Sequence, residues 1–184
     1  MKVNTTRFGI LEVQDSDFIQ FPEGVLGFEA LRKFFIIDPA DETLIMWLQS
    51  AENPDIAFPI LEPKVFKADY RVHLSANELR SLKIESLKQA GVLVYSILTI
   101  PDDITKMTAN LKAPLVINPK DQTARQVVLQ ENDYSVRAFI YKELLSLIVS
   151  MNANLKGKKV QLDESVAAPM SLKTAITRVE VVAL

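Results

Sequence analysis

Cysteine is absent from this 184-residue chain. That removes disulfides, thiolate metal sites and cysteine nucleophiles, and it leaves the redox compartment open. Histidine occurs once, as His73. It alternates with Val72 and Leu74 and has no second imidazole with which to share a metal, so a strand histidine without a chemical role is the better reading. A cationic surplus is missing too: 21 Lys and Arg stand against 23 Asp and Glu, a formal net charge of -2. A chain without excess positive charge is poorly suited to hold a phosphate backbone, which disfavours direct nucleic-acid binding. Long apolar runs are lacking as well. The richest, Leu144 to Val149, is broken by Ser146 and falls far short of the roughly 20 residues that span a bilayer. The opening residues Met1 to Arg7 carry no secretory apolar core, so the expected location is the cytoplasm and the Asn4-Thr5-Thr6 sequon is idle. No cofactor motif is found. Lys158 follows Gly157, but Asn152 stands where a phosphate-binding loop needs its first glycine.

What is present is a globular composition, 48% hydrophobic and 24% charged, in a length that suits one compact domain with an appended element. Short β-branched, alternating runs separated by turn residues dominate the first two thirds, the pattern of an antiparallel β fold. They predict strands at Thr6 to Val13, Phe18 to Phe21, Phe34 to Asp38, Leu44 to Gln49, Ile56 to Leu61, Tyr70 to Leu74, Val92 to Ile100, Met107 to Leu111, Leu115 to Asn118 and Ala124 to Gln130. The nearly unbroken apolar run Val92 to Ile100 reads as a central strand covered on both faces. Ser75-Ala76-Asn77-Glu78 is a capping box that opens a short helix reaching about Leu82. From Ala138 to Met151 apolar residues almost encircle a second helix, closed by Asn152, Asn154 and Gly157, and such a helix must be covered. Lys158 to Leu162 and Ala175 to Leu184 then read as two further strands.

Net charge conceals an uneven distribution. Between Glu12 and Glu62 eleven carboxylates face two cations, Arg32 and Lys33, a local balance of -9. If they converge on the surface, they would repel phosphates and steer a basic partner; dispersed, they are ordinary solvated loop charges. Asp102-Asp103 are sequential neighbours in a turn, which point apart, so they do not make an acid/base pair. Gly24-Val25-Leu26-Gly27 has the form of a nucleic-acid-clamping GXXG loop, but Glu23 and Glu29 on its flanks would repel that backbone. The glycines read instead as a tight turn anchored by Phe21, Leu26 and Phe28. Trp47, Phe58 and Phe66 make an aromatic patch only if they are exposed. No catalytic constellation survives.

Phe21-Pro22-Glu23-Gly24-Val25-Leu26-Gly27-Phe28-Glu29 resembles the opening motif of the FliW family of bacterial flagellar assembly factors. Trp47-Leu48-Gln49-Ser50 with Ile56-Ala57-Phe58, then Val94 to Pro101, then Thr108 to Asn118, and finally Arg125 to Leu129 with Tyr134, follow in the family's order. The resemblance covers about residues 1 to 137. It implies a mainly β chain: a compact antiparallel β barrel-like domain with one short helix, working by binding proteins rather than by catalysis and without a cofactor. It also implies two partners, flagellin and the RNA-binding translational regulator CsrA. Freed of exported flagellin, such a protein captures CsrA and relieves repression of flagellin translation, touching RNA only indirectly and no membrane.

On that reading the acidic block is the surface offered to basic CsrA, with Glu12, Asp15, Asp17, Glu23, Glu29, Glu52 and Asp55 chosen by charge. Trp47, Phe58 and Phe66 are the candidates for flagellin. The resemblance fades after Arg137, where 47 residues remain. Residues 138–184 are therefore expected to pack on the β core, to mediate oligomerisation, or to cover a partner site in cis. The alternatives to a flagellin- and CsrA-binding factor are an oligomeric scaffold of flagellar assembly and a carboxylate-dependent enzyme.

Overall fold

The computed structural model describes residues 1–39, 44–84, 91–130 and 134–158, the last eight of these by backbone alone. The strands are β1 (Lys2–Thr5), β2 (Gly9–Glu12), β3 (Phe18–Gln20), β4 (Lys33–Ile37), β5 (Met46–Ser50), β6 (Ala57–Leu61), β7 (Leu93–Thr99), β8 (Thr108–Ala109), β9 (Leu115–Asn118), β10 (Thr123–Gln126) and β11 (Ala138–Phe139). Two helices, α1 (Ala76–Ser81) and α2 (Tyr141–Lys158), accompany them. The strands predicted over Lys158 to Leu162 and Ala175 to Leu184 lie outside the described residues, apart from Lys158, the last residue of α2.

Seven strands close into a ring in the order β3-β4-β5-β6-β7-β9-β10, and β10 returns to β3. Every rung is antiparallel except the closing one, where Thr123 pairs in parallel with Gln20. Closure leaves the ring without a free edge at its seams, the usual answer to exposed strand edges. Alternation sends Phe34, Leu48, Ile60, Leu115 and Ile117 inward, where they are fully buried with Phe21 and Val25. Burying each such side chain contributes about 1.5–3 kcal/mol.

Three outer layers cover this barrel. The β1–β2 hairpin lies across β3 and β4 and buries Val3 and Val13 with Phe18 and Phe35. The segment around α1 covers a second face, burying Tyr70, Leu82 and Ile84 with Leu111, Val116 and Val127. A flap of β8 and β11, hydrogen-bonded to the far half of β7, supports α2, whose Leu144 and Ile148 pack with Leu98, Met107 and Ile140.

Several expectations need correction. Thr6 to Val13 is not one strand: Gly9 adopts φ +72°, and Thr5 Oγ1 donates to the Gly9 carbonyl (2.8 Å) while accepting from the Phe8 N–H (3.0 Å). That local bonding makes a hairpin turn and adds β1, which had not been expected. Tyr70 to Leu74 has no ladder partner among the described residues. Its alternation is genuine, but it reflects an extended strap lying on the barrel, pinned by Tyr70 Oη donating to the Leu111 carbonyl (2.7 Å). The strand expected to reach Gln130 ends at Gln126. The C-terminal helix starts at Tyr141, since Ala138 and Phe139 pair with Ala109 and Thr108, and it runs past Asn152, Asn154 and Gly157 to Lys158. Only one face of it is covered by the described residues: Leu145 and Val149 remain 40% and 59% exposed. Of the run Val92 to Ile100, Tyr95, Ser96 and Leu98 are buried while Leu93 is 37% exposed.

Candidate protein-binding surface

At the end of the barrel where β3 and β5 finish and β4 and β6 begin, the loop Phe21–Arg32 meets the turn Ala51–Ile56. The first loop is built around two buried anchors, Phe21 and Val25. Gly24 takes φ +72°, and a Cβ there would fall 2.7 Å from Glu29 Cα, so only glycine fits. Gln126 on β10 fixes the tip, accepting from the Leu26 N–H (2.9 Å) and donating through Nε2 to the Ala113 carbonyl (3.0 Å). The second loop is gathered by Gln49, whose Nε2 faces the carbonyls of Ser50, Asn53, Pro54 and Ile56 at 3.0–3.4 Å. The tip of the β1–β2 hairpin docks beside it, with the Thr6 N–H donating to the Pro54 carbonyl (3.0 Å).

Leu26 and Phe28 do not anchor this loop in the core as expected: they are 54% and 36% exposed. The physical reason is that Phe21 and Val25 already fill the interior, and the turn between Gly24 and Gly27 carries the next apolar residues outward. Phe28 leans edge-on against Phe58, ring centroids 5.1 Å apart. Two apolar side chains are thus held in solvent on a braced loop. The alternation of sequence conceals this, because hydrophobicity alone does not tell an anchor from a presented residue.

The seven selected carboxylates divide between two ends of the barrel. Glu23, Glu29, Glu52 and Asp55 stand at the loop end just described. Glu12, Asp15 and Asp17 stand at the other, where β2 ends and a short 3-10 turn enters β3, about one strand length (~15 Å) away. Most have local partners. Glu23 pairs with Arg125 Nη1 (2.5 Å), Asp55 accepts from Thr6 Oγ1 (2.5 Å), Asp17 accepts from the Gln14 N–H (3.0 Å) and Glu12 lies 3.8 Å from Lys2 Nζ. Glu29 accepts from the Gly27 N–H (2.8 Å), which with its own backbone N–H and nearby Arg32 lowers its pKa below the ordinary glutamate value. Arg32 and Arg125 therefore stand among the four loop-end carboxylates, while the Lys33 ammonium lies over the Phe18 ring, 3.8 Å from its centroid, and the charge imbalance of the linear sequence is softened in three dimensions.

The three aromatic candidates do not form a patch. Trp47 is only 4% exposed, covered by the Arg7 guanidinium 4.1 Å above its ring and by the edge of Phe8. Phe58 pairs in register with Leu48, so it lies on the opposite sheet face from Trp47, inside the barrel mouth against Phe28 and Phe34. Phe66 packs partly buried beneath α2 and the strap. Trp47 thus has no surface to offer.

A cleft of about 380 Å³ opens elsewhere, between the end of β6, the strap Tyr70–His73 and the start of β7. Tyr95 lies in its wall, its phenol pushed to a higher pKa by burial and then by the negative charges of Glu62 and Asp38.

Comparison with known proteins gives this architecture its context. The sequence model of the family described as "FliW protein" matches residues 2–140. The chain is similar to flagellar assembly factor FliW of Bdellovibrio bacteriovorus, 45% identical over 164 residues that cover 89% of this chain and 93% of that one. An alignment of that length reaches past Arg137. It is also similar to flagellar assembly factor FliW of Thermoanaerobacter pseudethanolicus, 42% identical over 78% of this chain and 95% of the relative. A crystal structure of the flagellar assembly factor FliW superposes with a TM-score of 0.71 at 31% identity, over 77% of this chain and 97% of that one.

Proposed function

We propose, given that this chain belongs to the FliW family of flagellar assembly factors, that it works in the cytoplasm by partner exchange between flagellin and CsrA. It holds flagellin, and once flagellin is exported it binds CsrA and so relieves repression of flagellin translation. It is a binding protein rather than an enzyme, and it acts on RNA only through CsrA. The observation that carries this reading is the loop Phe21–Glu29: Leu26 and Phe28 stand exposed on a braced turn, flanked by Glu23, Glu29 and Glu52. Apolar anchors ringed by carboxylates are suited to a basic protein surface, the anchors supplying affinity and the charges steering encounter. The acids at the opposite end, Asp15 and Asp17, have no such apolar neighbours on their own turn.

Calorimetric titration of the purified chain with CsrA, and then with CsrA in the presence of flagellin, tests this. The expected result is mutually exclusive binding, at least tenfold weaker CsrA affinity for L26S/F28S and for E23K/E29K, and affinity within twofold of the original for D15K/D17K. Equal affinities in all three variants, with unchanged circular dichroism, would place the CsrA surface elsewhere.

A further inference from the structure

The inward-facing rows of the barrel end in polar groups at the mouth where β4 and β6 finish and β7 begins. Alternation places Phe34 and Ile36 of β4, Ile60 of β6 and Ile97 of β7 inside. The same period of two sets Asp38, two residues past Ile36, and Glu62, two past Ile60, on the inward side as each chain leaves the sheet. Ile60 pairs with Ile97 and Leu61 with Ser96, so the antiparallel register continues with Glu62 opposite Tyr95. Glu62 keeps extended backbone there, φ -65° and ψ 120°, before Pro63 opens a 3-10 turn. Asp38 follows Ile37, the partner of Trp47, and so stands beside Met46, which pairs with Ile60. Glu62 and Tyr95 also line the cleft of about 380 Å³ described above.

None of these three polar groups is matched within the described residues. Tyr95 is only 9% exposed, yet its hydroxyl makes no hydrogen bond there, although a buried phenol ordinarily has a partner. Asp38 and Glu62 form no ion pair among the same residues. Their charges reach the phenol all the same: after burial, Glu62 and then Asp38 raise its pKa. Lys64 and Arg71 stand on the same cleft, but both are exposed and neither is among the charges that act on the phenol. Arg71 is further offset by Asp69, on whose carboxyl its charge acts. The inner wall is therefore negative, and it carries a hydroxyl oxygen free to accept.

We propose that this mouth is a binding site for the side chain of a lysine presented by another protein. The ammonium donates to Tyr95 Oη and is held by the charges of Glu62 and Asp38. A compact charge suits acceptors carried on separate strands better than the planar fork of arginine does. The methylene stem lies along Val72, Leu93 and Val94 on the cleft wall. Lys64 and Arg71 at the exposed side oppose any further positive charge, which selects a single protein-borne lysine over a free polyamine. This site lies at the opposite end of the barrel from the Phe21–Glu29 loop and does not depend on the function proposed for that loop.

The test uses the full chain, labelled with nitrogen-15 and with carbon-13 at tyrosine Cζ, and three blocked pentapeptides, acetyl-AAKAA-amide, acetyl-AAMAA-amide and acetyl-AAEAA-amide, with spermidine as the free amine. The lysine peptide should shift the Tyr95 signal, identified by its loss in Y95F, and bind at least fivefold more tightly than the methionine peptide; the glutamate peptide should bind most weakly. E62Q, D38N and Y95F should each weaken the lysine peptide about threefold, the scale of one partly exposed polar contact, with circular dichroism unchanged, and K64Q should strengthen it. Absence of a Tyr95 shift with millimolar lysine peptide overturns the proposal. So does equal binding of the lysine and methionine peptides, which would make the cleft an apolar contact only, and so does undiminished lysine-peptide binding in E62Q/D38N. Spermidine binding more tightly than the lysine peptide would assign the site to a free polyamine and also overturns it.

Discussion

Glu52 Oε2 accepts two main-chain hydrogen bonds at once, from the N–H of Arg32 at 2.5 Å and from that of Lys33 at 2.8 Å. A carboxylate chosen for its charge is thus also the clasp between the turn Ala51–Ile56 and the start of β4. Its replacement by alanine leaves two donors to solvent and should destabilise the fold by about 1–2 kcal/mol, with glutamine recovering part of that because its amide oxygen still accepts. Urea unfolding of E52A and E52Q measures the difference. Equal stability of E52A and the parent would mean that water replaces the clasp at no cost.

The two positive-φ glycines of the Phe21–Glu29 loop should respond differently to the same substitution. At Gly24 an added Cβ meets Glu29 Cα at 2.7 Å and the Phe28 carbonyl oxygen at 2.9 Å, both backbone atoms that cannot step aside. At Gly27, φ +84°, it meets nothing within 4 Å. G24A should therefore cost about 3 kcal/mol, adding collision to conformational strain, whereas G27A should cost about 1 kcal/mol from backbone strain alone. Thermal unfolding of the pair decides it, and an equal loss would show that the close approach at Gly24 relaxes.

These glycines mark the boundary of what can be read from residues in order. Alternation placed most barrel strands within one or two residues, because burial on one sheet face imposes a period of two. It failed at Tyr70 to Leu74 for the same reason it succeeded elsewhere: it reports a covered face and is silent about ladder partners. The capping box was legible because it is local, and Glu78 Oε2 does accept from the Ser75 N–H (2.7 Å). The family motifs Phe21–Glu29, Trp47–Phe58 and Arg125–Leu129 were legible as words, but their convergence through Gln126, Glu52 and Arg125 depends on pairings across up to 102 positions. The arrangement of the seven selected carboxylates was the least legible, since neither their division between two barrel ends nor the arrival of Arg125 beside Glu23 has a linear signature.

Acid should loosen the Phe21–Glu29 loop before the barrel opens. The Glu29 pKa lies below the ordinary glutamate value because the Gly27 N–H bonds its carboxylate. A lowered folded-state pKa means that the ionised form stabilises the native loop above the unfolded value, near 4.5, and that this contribution disappears as pH falls through the lower folded value. Amide exchange at Gly27 should accelerate as pH falls below about 4, after correction for intrinsic rates. In E29Q the same amide should show little pH dependence over that range. A parent profile as flat as that of E29Q would contradict the assignment.

The first turns of α2 should behave as core, although the motif resemblance faded just before them. Leu144 and Ile148 are 2% and 3% exposed and close the cluster that contains Leu98, Met107 and Ile140, whereas Leu145 and Val149, one residue further round the helix, face outward. Leu144→Ala and Ile148→Ala should each cost about 2–4 kcal/mol, the loss of a buried aliphatic side chain plus the cavity left behind. Leu145→Ser and Val149→Ser should change stability by no more than about 0.5 kcal/mol, as surface substitutions do. Removal of residues 138–184 takes away both β11 and α2, and it should expose Met107 and Leu98 and yield a protein that binds hydrophobic dye or precipitates. A truncated chain that stays soluble, with the parent's urea midpoint, would show instead that the barrel is complete without this cover and that α2 serves a purpose other than stability.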